Sequence, residues 1–429
     1  MVGSPLLIAE KARARLRSAV NALRDGLPAN FNTLRLPSPA DVIVTPCEVV
    51  DLHGTGILIS RIFRDSSSIV SLRTSNFYDV PQTFGAANFC LPLAQVSRRD
   101  VNSWVKWWLS NTTVRRVICL PYLPADPLVA ISVKEMFAAP LCTYIMDDKN
   151  VCADGISDSL LEELLAKSSL RLVISPEMRA AYEKKYRMKF WLVPPLVSEE
   201  LVTRTPLSAP EGVDSRHGVL IGNVWGQRWL DLLRSTFRGS GYKIDWYCNQ
   251  KNPRALVFER SELERDGIRL LDPVSDTSLP PILAKYAYAI MPSDTLDGQS
   301  PEAVQAIAEL SLPSRIPFVT ATSHLPTLVL GSPRSAAARF VARFGLGEVV
   351  PYETDAVRAA LDRLLKPEAV SLIRRRSAEI SGSFSAQDGA EWIWRSLAGG
   401  RACDLRYERL MPPADDEHPA LQLEVHEGA

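Results

Sequence analysis

Short apolar runs of strand length alternate with helix-length segments along most of the chain, and this alternation constrains the fold more than any other feature. In the first half, strands are predicted at residues 41–45, 68–72, 117–120, 141–146 and 170–175. In the second half, strands are predicted at residues 218–222, 243–247, 268–271 and 287–291, with helices at 227–237 and 279–286. Strands that alternate with helices form parallel sheets with helices on both faces. The sequence therefore predicts an α/β fold built from βα units.

The length of the chain and one polar segment divide these units into two domains. A chain of 429 residues is too long for one ordinary core, and two domains of roughly 200 residues each are the natural expectation. Residues 198–217 follow a double proline, are polar and contain Pro206 and Pro210, as expected of a linker. The sequence therefore predicts Rossmann-like domains at residues 31–197 and 218–385, joined by a linker at 198–217.

The two ends of the chain differ from the βα units in composition. Residues 1–30 are predicted to form one basic helix, in which Leu16, Val20 and Leu23 belong to an apolar stripe and arginines surround it. Such a helix either lies on an anionic membrane surface or packs on its own domain, and the second use is the commoner one. Residues 401–429 are rich in acidic residues and are predicted to form an acidic tail, with disorder after about Pro412.

Composition and charge argue against several classes of protein. The 49 basic residues balance 49 acidic ones, which gives no argument for a nucleic-acid partner. Seven scattered cysteines without a CxxC pair indicate reduced thiols and predict neither a disulfide framework nor a metal site. No apolar run reaches the ~18 residues of a spanning helix, and the first residues lack the apolar core of a signal peptide. A cytoplasmic protein is expected, which contacts the inner face of a membrane only if the basic helix binds lipid.

The stretch of residues 291–331 has the strongest signs of ligand binding. It reads MPSDTLDGQSPEAVQAIAELSLPSRIPFVTATSHLPTLVLG and contains two helix starts, one at Ser300, Pro301 and Glu302 and one at Ser314 and Arg315. Proline suits a first helical turn, and the free N–H groups of a helix N-terminus favour an anion. In parallel sheets, such starts face a crevice at the carboxyl ends of the strands. Our hypothesis is that the anion is the diphosphate of a nucleotide-sugar.

The order of motifs in this stretch resembles the donor-binding domain of GT-B glycosyltransferases, especially retaining enzymes of the family 4 type. The features that carry the resemblance are the PS turn, the acidic stretch, the Pro-Glu helix start and LPSRI, followed by GEVVPY and further helices. In the first half, PLCTYIMDD, LRLVISPEM and WLVPPLV are similar to strands of the acceptor domain. The resemblance implies two Rossmann-like domains that face a central cleft, and a last helix, residues 386–400, that crosses back to the first domain.

The resemblance also implies an activity. Enzymes of this type transfer a sugar from a nucleoside-diphosphate donor to a hydroxyl of a glycan or glycolipid, as in polysaccharide biosynthesis, with retention of configuration. It implies no metal and no cofactor apart from the donor substrate. Asn223 stands where the family has an arginine, and no glycine stands near Ser323. These departures keep two alternatives open: a catalytically degenerate module that binds glycan or a partner enzyme, and a nucleotide-sugar epimerase.

The resemblance assigns donor-binding roles in the second half. Asp294 and Glu302 stand eight residues apart, as the family's two acidic residues do around the sugar and phosphates. Arg315 stands where many members carry a basic residue on the diphosphate. Without the motif, Glu302 would only stabilise a helix from its first turn and Arg315 would be a surface ion pair. The implied donor-binding residues are Gly222, Asn223, Arg228, Pro273, Val274, Ser293, Asp294, Glu302, Ser314 and Arg315, with Pro273 and Val274 at the nucleobase.

The acceptor-side candidates follow two predicted strands of the first half. One group is the sequence HGTG, which comprises His53, Gly54, Thr55 and Gly56 and matches the GT-B loop that borders the donor phosphates and the acceptor. His53 either orients an acceptor hydroxyl or is structural. Asp147 and Asp148 either bind acceptor hydroxyls and supply a base, or cap a helix. The residues predicted to be catalytic are His53, Asp148 and Arg315.

Overall fold

The structure is a computed structural model and describes residues 35–91, 97–153, 155–208, 212–224, 226–248, 256–297 and 307–412. Three predictions lie outside these residues, namely the basic helix at 1–30, the helix start with Glu302 and the end of the acidic tail. In the part of the chain that is described, no helix has both the length and the apolar character needed to cross a membrane.

The first domain is organised around a sheet of seven strands in the spatial order 3-2-1-4-5-6-7, and all its pairings are parallel. The strands are β1 (Ala40–Thr45), β2 (Ile69–Arg73), β3 (Ala87–Cys90), β4 (Val114–Cys119), β5 (Leu141–Ile145), β6 (Leu170–Val173) and β7 (Trp191–Leu192). Every residue of β1 is buried, as expected of a parallel strand with helices on both faces. The strands predicted in the first half are all present. β3 was not among them, and β7 lies in the segment WLVPPLV that the resemblance matches to a strand.

The helices between these strands begin at local sequence signals. They are α1 (Gly54–Ile62), α2 (Arg98–Trp108), α3 (Ala125–Phe137), α4 (Asp158–Lys167) and α5 (Pro176–Tyr186). Ser97 and Asp100 exchange hydrogen bonds in a capping box at the start of α2. At the start of α5, the Ser175 hydroxyl accepts a hydrogen bond from the N–H of Met178, and proline occupies the first helical position.

The second domain repeats this arrangement with a sheet of six parallel strands in the spatial order 10-9-8-11-12-13. The strands are β8 (His217–Ile221), β9 (Lys243–Tyr247), β10 (Ile268–Leu271), β11 (Tyr288–Pro292), β12 (Thr327–Leu330) and β13 (Gly347–Val350). In both sheets the strand order reverses beside the first strand, between β1 and β4 and between β8 and β11. Open α/β sheets bind ligands at such switch points, outside the carboxyl ends of the strands.

The helices of the second domain include one that packs against the first domain. The helices are α6 (Gln227–Phe237), α7 (Arg260–Arg265), α8 (Leu279–Leu283), α9 (Ile307–Leu310), α10 (Arg315–Thr322), α11 (Ala336–Phe344), α12 (Thr354–Leu364) and α13 (Pro367–Ser381). One cluster of buried apolar side chains extends from the first domain to Ile316, Phe318 and Val319 of α10. The two domains therefore share an apolar core along α10.

The chain passes between the domains twice, and the two crossings pair with each other. Val197 donates from its N–H to the carbonyl of Phe384 over 2.8 Å, and its own carbonyl accepts from the N–H of Ala386 over 2.8 Å. A final long helix, α14 (Gly389–Gly399), then packs on the first domain, where Trp394 contacts Phe63 and lies under the guanidinium of Arg116. The crossing helix implied by the resemblance is thus present.

The segment predicted to be a linker is bound to the second domain. His324 is fully buried; its Nε2 bonds the carbonyl of Thr203 over 2.9 Å, and its Nδ1 accepts from the N–H of Leu207. The N–H of Thr203 also donates to the carbonyl of Ala321, and Arg374 donates to the carbonyl of Leu207. Burial lowers the pKa of His324, so the neutral imidazole is the form that makes these bonds.

Residues 401–412, the first part of the predicted acidic tail, are ordered in the structure, and the disorder predicted after about Pro412 lies outside the described residues. These residues form a short helix, α15 (Arg406–Leu410), and Tyr407 and Met411 are buried in the core. Tyr407 packs edge-on against Trp392 of α14. Glu408 also accepts a hydrogen bond from the N–H of Leu192 over 2.9 Å, so apolar and polar contacts together hold the segment against the first domain.

Candidate functional site

The carboxyl ends of both sheets face each other across a cleft, and residues 310–314 of the second domain touch the first domain there. The N–H of Asp148, after β5, donates to the Ser311 hydroxyl over 3.0 Å. The Ser175 hydroxyl, after β6, donates to the carbonyl of Leu310. Gly54, after β1, lies so close to Ser314 that a Cβ at position 54 would be 3.3 Å from the Ser314 Oγ.

This approach brings together the N-termini of two helices from different domains. Gly54 is the first residue of α1, and Ser314 is the N-cap of α10. In α1 the N–H of Gly56 is bonded to His53, and in α10 the N–H of Ile316 is bonded to Pro313 while Pro317 has no N–H. The N–H groups of Gly54, Thr55 and Arg315 remain for a ligand, and the helix dipoles add partial positive charge. An anion would therefore bind beside the contact of Gly54 with Ser314.

Gly56, in the first turn of α1, shows why the HGTG sequence requires a glycine at this position. A Cβ at position 56 would lie 2.5 Å from the carbonyl oxygen of Val50 and 2.8 Å from the Nε2 of His53. No side chain fits at that distance, so the HGTG sequence reflects a close backbone approach rather than only a flexible turn.

His53 has both ring nitrogens occupied within this loop. Its Nδ1 accepts from the N–H of Gly56 over 3.2 Å, and its Nε2 donates to the carbonyl of Glu48 over 2.6 Å. The ring stacks on Tyr78 with 5.2 Å between centroids, and burial lowers the pKa of His53. In this arrangement neither nitrogen is available to an acceptor hydroxyl, so the structure favours the structural alternative for His53.

The prediction that Asp148 is catalytic is corrected by its surroundings. Asp148 is fully buried, and its carboxylate accepts hydrogen bonds from the N–H groups of Asn150, Val151 and Cys152 and from the hydroxyl of Tyr182. A carboxylate with these partners holds the turn after β5 and has no path to an acceptor. Asp148 is therefore structural.

Asp147 lies in a polar group that includes a residue the sequence predictions missed. The Tyr122 hydroxyl, after β4, hydrogen bonds to the Thr55 hydroxyl over 2.7 Å. Burial raises the pKa of Tyr122 well above its usual value, and the charge and hydrogen bonding of the Asp147 carboxylate raise it further. Asp147 is half-buried and interacts with Tyr122, whereas Asp148 is fully buried, so Asp147 is the one of the two adjacent aspartates that keeps an exposed surface. The position of Tyr122, directly after a strand at the switch point, is the sequence signal that marks it.

On the opposite wall, Arg315 lies beneath the end of β8. Its Nη1 donates to the carbonyls of Ile221 over 2.9 Å and Asn223 over 3.1 Å. Gly222 between them has a φ of 83°, and a Cβ there would lie 3.6 Å from Arg315 Nη1. Burial lowers the pKa of Arg315 to about 10, so the guanidinium keeps its charge at neutral pH. Arg315 lies at the start of α10, where it binds backbone carbonyls and does not project freely into the cleft.

The loop after β11 holds the other predicted polar residues. Asp294 is 3% exposed, and burial raises its pKa. Arg228 lies 3.8 Å from the Asp294 Oδ1 and donates to the Asp297 Oδ2 over 2.6 Å. Leu296 has a φ of 54°, a conformation that non-glycine residues adopt at a cost of about 1–3 kcal/mol and that is common at ligand sites.

The remaining donor-binding candidates lie along the same edge of the second sheet. The carbonyl of Ser293, after β11, accepts from the Tyr352 hydroxyl over 2.7 Å. Pro273 is exposed and Val274 is half-buried, and both follow β10, at the far end of the edge. The described residues contain no group of three or more His, Cys, Asp or Glu side chains suited to a metal ion.

Two facing Rossmann-like domains, paired crossings and a returning helix define the GT-B fold. No family model matches this sequence, and no curated protein matches it significantly. Among solved structures, the chain resembles Anabaena Alr3699/HepE in complex with UDP, with 11% identity, a TM-score of 0.58 and coverage of 84% of this chain and 100% of that one. The complex of the same protein with UDP-glucose gives 10% identity, a TM-score of 0.57 and coverage of 84% and 99%. Os79 from O. sativa in complex with UDP gives 11% identity, a TM-score of 0.50 and coverage of 84% of this chain and 100% of that one.

Proposed function

We propose that the protein is a glycosyltransferase, which moves a sugar from a nucleoside-diphosphate donor to a hydroxyl acceptor in the cleft. The observation that carries this proposal is the approach of Gly54 to Ser314, because it joins the N-termini of α1 and α10 at the β8–β11 switch point. An anion held there would contact both domains. The presence of UDP in structures of the same fold supports a nucleoside diphosphate as that anion.

In this proposal, the second domain binds the donor. The N–H of Arg315 at the start of α10 and the φ of 83° at Gly222 allow the diphosphate to approach the backbone closely. Arg315 lies beneath this point, and its charge stabilises the leaving diphosphate from a fixed position. Arg228 would exchange Asp297 for a phosphate oxygen.

The other donor contacts follow the same edge. Ser293, Asp294 and Glu302 would contact the sugar hydroxyls, which carboxylates accept well. Pro273 and Val274 would contact the base. We extend the resemblance to family 4 to propose retention of configuration, independence of metals and a glycan or glycolipid acceptor in the cytoplasm.

The first domain binds the acceptor in this proposal. Transfer requires the acceptor hydroxyl to lie against the donor sugar, and fixed positioning supplies much of the rate. Thr55 is next to Gly54, and Tyr122 links Thr55 to Asp147. We assign to Asp147, rather than Asp148, the contact with the acceptor hydroxyl.

A second candidate is a GT-B module that binds a ligand without transferring it. Asn223 occupies the position of the expected arginine, and Arg315 and His53 are occupied by backbone partners. Incubation with UDP-, GDP- and dTDP-sugars and a panel of acceptors separates the two candidates. Release of nucleoside diphosphate or formation of a glycoside would eliminate the non-catalytic module.

Titration with UDP, GDP and dTDP tests the proposal directly. A ligand at 100 times its Kd stabilises the folded protein by about 2.7 kcal/mol, which raises the unfolding temperature. Arg315→Ala should weaken diphosphate binding by about 1–3 kcal/mol. Arg64→Ala is the control, since Arg64 pairs with Glu200 on an exposed surface. No thermal shift with any of the nucleotides at millimolar concentration would contradict the proposal.

A further inference from the structure

Arg61, in the last turn of α1, connects the first domain to the second domain through a buried guanidinium. Only 6% of its side chain is exposed. Its Nε donates to the Asp276 Oδ2 over 2.7 Å, and its Nη1 donates to the carbonyl of Leu196 over 3.2 Å. The guanidinium carbon also lies 4.8 Å from the centroid of the Phe318 ring. The Arg61 side chain thus contacts the end of the first domain at Leu196, helix α10 at Phe318 and the segment after β10 at Asp276.

Two of the partners of Arg61, Asp276 and Phe318, belong to the parts of the second domain that the proposed function uses. Asp276 begins a 3₁₀ turn in residues 272–278, the segment between β10 and α8, which we call the base-side loop because it contains Pro273 and Val274. Phe318 lies on α10, one helical turn after Ser314. Arg61 lies on the same helix as Gly54, near its opposite end. Arg61 therefore holds α1 against both the base-side loop and α10.

The burial of Arg61 makes this connection specific. Asp276 is 23% exposed, so the pair is half-buried, and removal of Asp276 would leave the buried Arg61 charge with only the carbonyl of Leu196 as its acceptor, which is unfavourable. A planar guanidinium can also cover an aromatic ring and bond two acceptors at once, which a lysine cannot. The neighbouring pair Arg64–Glu200 differs, because its side chains are 57% and 44% exposed, and exposed pairs contribute little.

We infer that Arg61 and Asp276 are positioning residues that hold the base-side loop in place for the nucleoside half of the donor. This inference rests on the proposed function, and it adds that a residue of the acceptor-side domain controls nucleoside binding in the other domain. The diphosphate half is bound at Gly54 and Ser314, away from the ion pair. Loss of the pair should therefore weaken binding of UDP and leave binding of pyrophosphate unchanged.

The test compares Asp276→Asn with Glu200→Gln, which removes the exposed pair from the same side of the molecule. Binding of UDP and of pyrophosphate is measured by calorimetry on the full chain. Asp276→Asn should raise the Kd for UDP by at least about fivefold, the lower bound for a coupling of this kind, with pyrophosphate unaffected. Asp276→Glu should restore UDP binding, and Glu200→Gln should change neither ligand. Arg61→Lys, which keeps the charge, should give an intermediate loss.

Hydrogen exchange of the protein without ligand gives a second, independent measurement. Asp276→Asn should speed exchange of the amides in residues 272–278, and Glu200→Gln should not. Unchanged UDP affinity or unchanged exchange in a folded Asp276→Asn protein would overturn the inference. Failure of the unaltered protein to bind either UDP or pyrophosphate would instead count against the proposed function, while the exchange measurement would still decide whether the pair orders the loop.

Discussion

At the residue scale, Asp147 and Asp148 after β5 show which properties of a site the sequence can predict and which it cannot. The sequence predicts that the pair faces the cleft, because it follows a parallel strand. It does not indicate which carboxylate turns inward, since that depends on the backbone of residues 148–152. The structure buries Asp148 against Asn150, Val151 and Cys152 and leaves Asp147 half-buried. The candidate for acceptor binding is therefore Asp147, because the N–H groups of the turn bind the Asp148 carboxylate.

Exchanging each aspartate for asparagine tests this division. Asp148→Asn should destabilise the protein by about 1–3 kcal/mol, because an amide cannot accept from all the N–H groups that the carboxylate binds. Asp147→Asn should leave the unfolding temperature unchanged and lower the turnover by about 10²–10⁴-fold if Asp147 assists proton transfer. Urea unfolding and donor-consumption assays on both variants check the two outcomes. The assignment is wrong if Asp148→Asn is stable and inactive while Asp147→Asn retains full turnover.

His324 predicts a pH dependence of stability. Burial lowers its pKa in the folded protein, whereas the unfolded chain titrates near 6.5. The folded state then binds fewer protons, so this stabilisation is present above about pH 6.5 and is lost as the pH falls below it. His324→Asn should show a smaller loss of unfolding free energy between pH 7 and pH 5 than the unaltered protein. Burial also lowers the pKa of His53, so His53 contributes a pH dependence of stability in the same direction, and the His324→Asn variant retains that part. Equal pH profiles for the two proteins in urea unfolding would contradict this role.

At the element scale, the strands and the start of α1 depend on different kinds of information. The predicted strands 243–247 and 268–271 and the predicted helix 227–237 match β9, β10 and α6 residue by residue, because apolar periodicity determines them. The loop before α1 depends instead on a close approach of backbone to backbone. The sequence indicates it only through HGTG, and the structure supplies the contact of Gly56 with Val50.

Gly56→Ala should disturb this loop. A Cβ would lie 2.5 Å from the carbonyl oxygen of Val50, and forced contacts of this kind cost about 1–3 kcal/mol. Gly399→Ala is a matched control, because Gly399 is exposed at the end of α14 with no atom within 4 Å of the added Cβ. The control should be neutral or stabilising by up to about 1 kcal/mol. Thermal unfolding of both variants measures the difference, and equal stability would show that the loop adapts.

At the scale of the whole molecule, the order of elements predicted the architecture but not the contacts between domains. Two βα halves and a polar segment indicated two domains, and the resemblance indicated the returning helix, which is present as α14. The binding of the linker by His324, the bond between Val197 and Phe384 and the Arg61–Asp276 pair join residues far apart in sequence. No local pattern marks such pairs, because each partner is ordinary in its own segment.

In the proposed function, both domains contribute to one nucleoside-diphosphate site. A crystal structure of the full chain grown with saturating UDP would show whether they do. We expect the diphosphate beside the contact of Gly54 with Ser314, within hydrogen-bond distance of backbone N–H groups at the starts of both α1 and α10, and the base toward Pro273 and Val274. A diphosphate bound away from these two helix starts, or no bound UDP at saturating concentration, would show that the two domains do not share such a site.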